Sequence, residues 1–161
     1  MIIKYIGLLL VCISASAYGA KMSEAVKLNY KTKLEITEFL KAIERGIKYG
    51  GVPIQNILKG YSSPILEKCG LLNSLRYGET DKETIENRLS VLDSSDKTKF
   101  CEFILQIGKS TNSGKELIVC RECIDYFENS VNYSEKEARE KSVLFRKLGV
   151  VSGILIVIIL I

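Results

Sequence analysis

Residues Leu148 to Ile161 read LGVVSGILIVIILI, fourteen positions without a charge, and Arg146 and Lys147 stand immediately before them. Water solvates such a stretch poorly. A bilayer solvates it well, provided the backbone closes its own hydrogen bonds as a helix. At about 1.5 Å per residue the stretch spans roughly 21 Å, against a hydrocarbon core about 30 Å thick. It is therefore expected to draw in Phe145 or to thin the bilayer locally.

The other end carries a second apolar stretch. Ile2 to Ala20 (IIKYIGLLLVCISASAYGA) holds one charge, Lys4. Two readings are open. Lys4, the run Ile6–Ile13 and Ala15-Ser16-Ala17 fit the basic start, apolar run and small-residue cleavage site of a secretory signal peptide. The same span is close to the roughly 20 residues of an uncleaved membrane helix, with Lys4 reaching the interface. Cys12 fits a lipoprotein site poorly, because bulky Val11 precedes it.

Charge gives an orientation. Lys21, Lys27, Lys31 and Lys33 follow the first stretch, and Lys136, Arg139, Lys141, Arg146 and Lys147 precede the second. The positive-inside rule then puts residues 21–147 in the cytosol and both ends outside. The expected organisation is a transmembrane helix over 1–20, a cytosolic helical bundle over 21–147 and a transmembrane helix over 148–161. The basic residues expected to face the membrane are Lys21, Lys27, Arg146 and Lys147. If the first stretch is cleaved instead, the chain is a secreted or surface-tethered helical interaction protein.

Residues 21–147 are enough for one domain with a real core. The net charge of +4 is mixed in sign. It suits a membrane-proximal surface better than a nucleic-acid groove, which calls for a basic stripe interleaved with aromatics; no nucleic-acid partner is expected. The chain has no His and no Trp, so His-dependent nucleophilic dyads and imidazole metal ligands are excluded. Five cysteines lack the spacing of a disulfide framework. Cys120-Arg-Glu-Cys123 is a CxxC pair. However, Leu117, Cys120, Cys123, Ile124, Phe127 and Val131 recur at helical spacing, which reads as core packing.

The pattern between the apolar ends is helical. Ile36, Phe39, Leu40, Ile43 and Ile47 give one apolar face, and no Pro or Gly interrupts residues 21–45, so this helix can continue from the first stretch. Gly50-Gly51 ends it. Pro53 opens a short helix that Gly60 closes. Ser63-Pro64 starts a third, running through Leu75 toward Gly78, weakened by Gly70. Thr80 to Glu83 reads as a capping box with Thr80 as the cap. A further helix starts at Ser94–Asp96 and carries Phe100, Phe103, Ile104 and Ile107 up to Gly108. Ser113 to Glu116 is a second capping box, and no proline follows it. The last helix is expected from Gly114 to the C-terminus, with a polar middle in which only Val131, Tyr133 and Ala138 offer apolar contact. The fold class is all-α: an antiparallel bundle of about six helices between two membrane-anchoring helices. Its core is expected to include Phe39, Ile43, Ile47, Phe100, Phe103, Ile104, Cys120, Ile124 and Phe127. No glycine-rich phosphate loop and no catalytic set of residues is legible, so neither an enzyme nor a bound cofactor is expected.

Several features, in order, resemble the stage III sporulation protein AB family. They are a basic-then-apolar N-terminal helix, the turn Tyr49-Gly50-Gly51-Val52-Pro53, the helix end Leu105-Gln106-Ile107-Gly108 and the tail Lys147-Leu148-Gly149-Val150-Val151-Ser152-Gly153. The chain departs from the family at Lys109–Gly114, which lacks its Asp and Gln residues, and in a last helix less rich in alanine. The resemblance implies a mother-cell membrane protein, facing the forespore, in a channel-like complex required for endospore formation. It implies an uncleaved first helix and a cytosolic bundle similar to the F-type platform proteins of type II secretion and type IV pilus machines. The implied partners are a cytosolic ATPase, stage III sporulation protein AA, other stage III sporulation membrane proteins and membrane lipid; a homo-oligomer is left open. On this reading the protein is a non-catalytic adaptor whose partner end is membrane-distal, at the turns Tyr49–Pro53 and Gly108–Ser113, with Tyr49, Gly50, Pro53 and Lys109 as candidate contacts.

Overall fold

The computed structural model describes residues 2–50, 53–107 and 113–160. These contain seven helices and no strand: α1 (Ile2–Gly50), α2 (Ile54–Gly60), α3 (Pro64–Lys68), α4 (Leu71–Arg76), α5 (Lys82–Arg88), α6 (Ser94–Gln106) and α7 (Ser113–Leu160). The first and last helices are each continuous, as the uninterrupted helical sequence predicts. The chain divides into two compact units, one of residues 31–132 and one of residues 1–30 with 133–161.

The larger unit is built on an apolar core. Ile36, Phe39, Leu40 and Ile43 of α1 supply one face, and Cys120, Cys123, Ile124 and Phe127 of α7 another. Between them sit Phe100, Phe103 and Ile104 of α6 and the leucines of the short helices. Phe100 is the hub, with ring centroids 6.4 Å from Phe39, 6.3 Å from Phe103 and 6.3 Å from Phe127. Of the expected core, only Ile47 is partly buried rather than buried. Lys41 pairs with Glu128 at 3.0 Å and Arg121 with Glu44 at 2.8 Å. These pairings run α1 and α7 in opposite directions.

Local chemistry moves several helix ends from where the sequence puts them. Gly70 does more than weaken a helix: it adopts φ +80° and splits the expected segment into α3 and α4. That left-handed conformation is open to glycine at little cost. Asp81, not Thr80, caps α5, its carboxylate accepting from the Thr84 N–H at 2.9 Å. Pro53 is the residue before α2 rather than its first turn. Ser63 does cap α3, accepting from the Leu66 N–H. Arg76 donates to the carbonyls of Leu58 at 3.0 Å and Tyr61 at 2.6 Å, satisfying groups that the end of α2 leaves open.

Candidate functional site

In the smaller unit hydropathy is reversed. Exposed on α1 are Leu9, Leu10, Ile13 and Tyr18; exposed on α7 are Leu144, Leu148, Val150, Val151, Ile154, Leu155 and Ile158. Buried between the helices are small residues: Gly19, Ser23, Ser134, Ala138, Ser142, Gly149 and Gly153, with Leu8 the one large exception among the described residues. A soluble helix pair does the opposite, burying its large apolar residues. In lipid there is no hydrophobic drive between helices, so small residues that let backbones approach are what hold a pair together.

The approach is close. A Cβ on Gly19 would lie 2.5 Å from the Phe145 carbonyl oxygen and 2.9 Å from the Gly149 Cα. A Cβ on Gly149 would lie 2.9 Å from the Ala15 carbonyl oxygen and 3.0 Å from the Gly19 Cα, and one on Gly153 would lie 3.3 Å from the Ala15 Cβ. Ala15-xxx-Gly19 on one helix thus faces Gly149-xxx-Gly153 on the other, in opposite directions. By length and composition, the helix over Gly114–Ile159 is the one helix among the described residues long and apolar enough to cross a membrane. Its most apolar window has a mean hydropathy of 2.1. The polar middle of α7 packs differently from expectation. Tyr133 is 70% exposed, and the inward positions belong to Ser134, Ala138 and Ser142. The hydroxyls of Ser23 and Ser134 are buried without a hydrogen-bond partner.

Lys21, Lys27, Arg146 and Lys147 are all exposed in this unit, and none forms an ion pair among the described residues. The more distant basic residues are engaged instead, Arg139 with Glu135 at 2.9 Å and Lys141 with Glu137.

Of the candidate partner residues, Tyr49, Gly50 and Pro53 lie at the end of α1 and just ahead of α2. Tyr49 is 76% exposed, with the Lys48 ammonium 4.9 Å from its ring centroid. Gly50 is the last residue of α1, and Pro53 is exposed ahead of α2. Lys109 and Gly108 lie outside the described residues. Sequence reasoning missed Leu105 and Ile118, both exposed large apolar residues, near the end of α6 and the start of α7. Their exposure is legible only once the core-facing stripes of both helices are known.

A buried charged cluster was also missed. The Lys33 ammonium, almost wholly buried, lies 2.8 Å from Asp96 and 3.1 Å from Asp93. Asp96, 2% exposed, also accepts from the Tyr126 hydroxyl at 3.0 Å and the Ser130 hydroxyl at 3.2 Å. Burial acts against the Lys33 charge, but the two aspartates outweigh it and raise its pKa. Cys120 and Cys123 sit in the core, and burial pushes both thiols up to about 12, aided by Glu44 at Cys120 and by Cys120 at Cys123. They are protonated at neutral pH, and a protonated thiol is a poor nucleophile and ligand.

No curated protein and no solved structure matches the chain. The profile of the family described as Stage III sporulation protein AB matches residues 4–161, nearly the whole chain. The chain therefore belongs to the stage III sporulation protein AB family.

Proposed function

We propose that this protein is a non-catalytic adaptor of stage III sporulation that crosses the membrane twice and holds a cytosolic ATPase there. Family membership supports the sporulation role. The observation that carries the membrane role is the reversed hydropathy of the smaller unit, with large apolar residues outward and glycine, alanine and serine inward. Left in water, that unit would expose an apolar surface well beyond what soluble monomers tolerate. The pairing of Ala15 and Gly19 with Gly149 and Gly153 favours an uncleaved first helix, because cleavage after Ala17 would remove Ala15 and cleavage after Ala20 would remove both Ala15 and Gly19. The unpaired cations Lys21, Lys27, Arg146 and Lys147 then stand on the cytosolic side, each contributing about 1 kcal/mol near an anionic surface.

The adaptor surface is the end of the larger unit bearing Tyr49, Leu105 and Ile118, and the ATPase partner is stage III sporulation protein AA. The test has two arms. In intact cells, residues 31–132 are expected to resist external protease, and the chain is expected to stay in the membrane on alkaline extraction; a mature N-terminus at Tyr18 or Lys21 overturns the topology. Purified full chain is expected to capture the ATPase, and Tyr49→Ala with Ile118→Lys is expected to abolish capture while the helix content stays unchanged. Undiminished capture, with full sporulation, overturns the docking surface.

A further inference from the structure

Of the four short helices, α2 is the least secured. α3 and α5 each start on a side-chain cap, Ser63 and Asp81, and α4 buries four side chains. α2 has neither support: no side chain caps its first turn, and Leu58 is its one buried residue. A helix this short does not hold itself in water. It stays in place through what lies on either side of it.

On one side is α1. A Cβ on Gly46 would lie 2.2 Å from the Ile57 Cδ1, so the Ile57 side chain fills the notch that Gly46 leaves open. Ile43 lies three residues before Gly46 and Tyr49 three after, so the three share one face of α1. Ile43 is buried and Tyr49 is exposed. Ile57 thus covers the step where the exposed end of that face gives way to the core. On the other side is Arg76, the last residue of α4. Its guanidinium donates to the Leu58 carbonyl at 3.0 Å and to the Tyr61 carbonyl at 2.6 Å. Both bonds come from a single side chain, so they are made and lost together.

We propose that α2 is an autoinhibitory strap: latched by Arg76 it keeps Ile57 in the Gly46 notch, and released as a unit it bares the Ile43–Gly46–Tyr49 face of α1 to an aliphatic side chain of the partner. The proposal rests on the adaptor reading, in which Tyr49 belongs to the docking surface. Segments with little buried surface open below the cost of global unfolding, and α2 is such a segment. A partner whose site is bared in only part of the molecules binds more weakly by that fraction. Arg76 therefore sets the affinity of a surface it does not itself belong to.

Hydrogen exchange of the full chain in detergent micelles tests the strap. Amides of residues 54–60 are expected to exchange through their own opening, about tenfold or more faster than the core amides of α6. Arg76→Gln is expected to speed them about tenfold further, the equivalent of about 1.4 kcal/mol, and to leave α6 unchanged. A second variant locks the strap. A Cβ on Gly46 would lie 2.9 Å from the Ile57 Cγ1, which keeps the two Cβ positions within the bridging limit of about 4.5 Å. With Cys12 and Cys69 replaced by Ser, Gly46→Cys with Ile57→Cys is expected to form a disulfide that slows residues 54–60 to the α6 rate. The locked chain is expected to capture the ATPase about tenfold less than the same chain reduced, and Arg76→Gln more than wild type. Exchange of residues 54–60 at the α6 rate in the unlocked chain overturns the strap, as does an Arg76→Gln chain in which α6 speeds up equally. Equal capture by the locked and reduced chains overturns the autoinhibition. Capture by no form, Arg76→Gln included, fails the adaptor reading instead, and the exchange rates still decide the strap.

Discussion

At Lys33 a single side chain decides between two environments. Read in sequence, it is one of four lysines after an apolar stretch and counts only toward the orientation of the chain. In the fold it is buried against Asp96, with Tyr126 and Ser130 completing the carboxylate's shell. The partners are more than sixty positions away, so no local pattern announces them. Removing one member of a buried pair leaves the other charged and uncompensated, at a cost of about 3–5 kcal/mol. Lys33→Met should therefore speed amide exchange in α6 strongly, and adding Asp96→Leu should recover part of the loss; equal exchange in wild type and Lys33→Met would show the pair contributes nothing. The same residue enters a second expectation, for alkaline pH. Cys101, Cys120, Cys123 and Tyr61 have pKa values raised by burial, and Lys33 has one raised by its aspartates. The folded state thus holds protons that the unfolded chain gives up. The associated stability is complete below the ordinary thiol value of 9.0 and is lost as pH climbs toward about 12. Thermal melting of the full chain should decline from about pH 9, and replacing the three core cysteines with Ala should move that onset toward 10.0, the ordinary tyrosine value.

At the scale of elements, periodic apolar stripes were the legible signal. The faces of α1, α6 and α7 in the larger unit follow from Ile36–Ile43, Phe100–Ile104 and Cys120–Phe127, because one stripe at helical spacing has one way to be buried. Phe103→Ala should cost about 3–5 kcal/mol, read as a large drop in melting temperature; an unchanged value would remove Phe103 from the core. Capping and splitting were less legible. Thr80 and Asp81 are both good caps, and only tertiary packing chooses between them. Gly70 is compatible with a weak helix or a break, and the left-handed backbone settles it. The seam of the smaller unit was the least legible, since glycine, alanine and serine scarcely register in a hydropathy reading although they let its two backbones approach closely. Those contacts make a direct expectation. With Cys12 replaced, Ala15→Cys and Gly153→Cys should form a disulfide under copper-phenanthroline, as the Cβ separation of 3.3 Å is near the usual bridging range of about 3.5–4.5 Å. Gly149→Leu should prevent it. Efficient cross-linking in the Gly149→Leu chain would mean the seam is not held by close glycine packing.

The whole molecule combines two opposite solutions to burying surface, one with large side chains inside and one with small. The all-helical class and the sporulation family were legible because both leave marks spread along the entire chain. The polar cluster and the small-residue seam were not, because each is a coincidence of distant positions. The distance between those positions bears on the order in which the protein is made. Cys120 donates to the Leu40 carbonyl across eighty positions, and Arg121 reaches Glu44 across seventy-seven. In synthesis α1 thus waits for α7 before its apolar stripe is covered. Ile36, Phe39 and Leu40 meanwhile have only the short helices and α6 for company, a state that invites aggregation or proteolysis. A chain stopped after Gln106 should accordingly be short-lived in cells, with pulse-chase labelling as the readout; a half-life equal to that of the full chain would show that α7 is dispensable. Emergence of α7 as far as Phe127 is then the step that lets the larger unit close against the quality-control proteases of the cell.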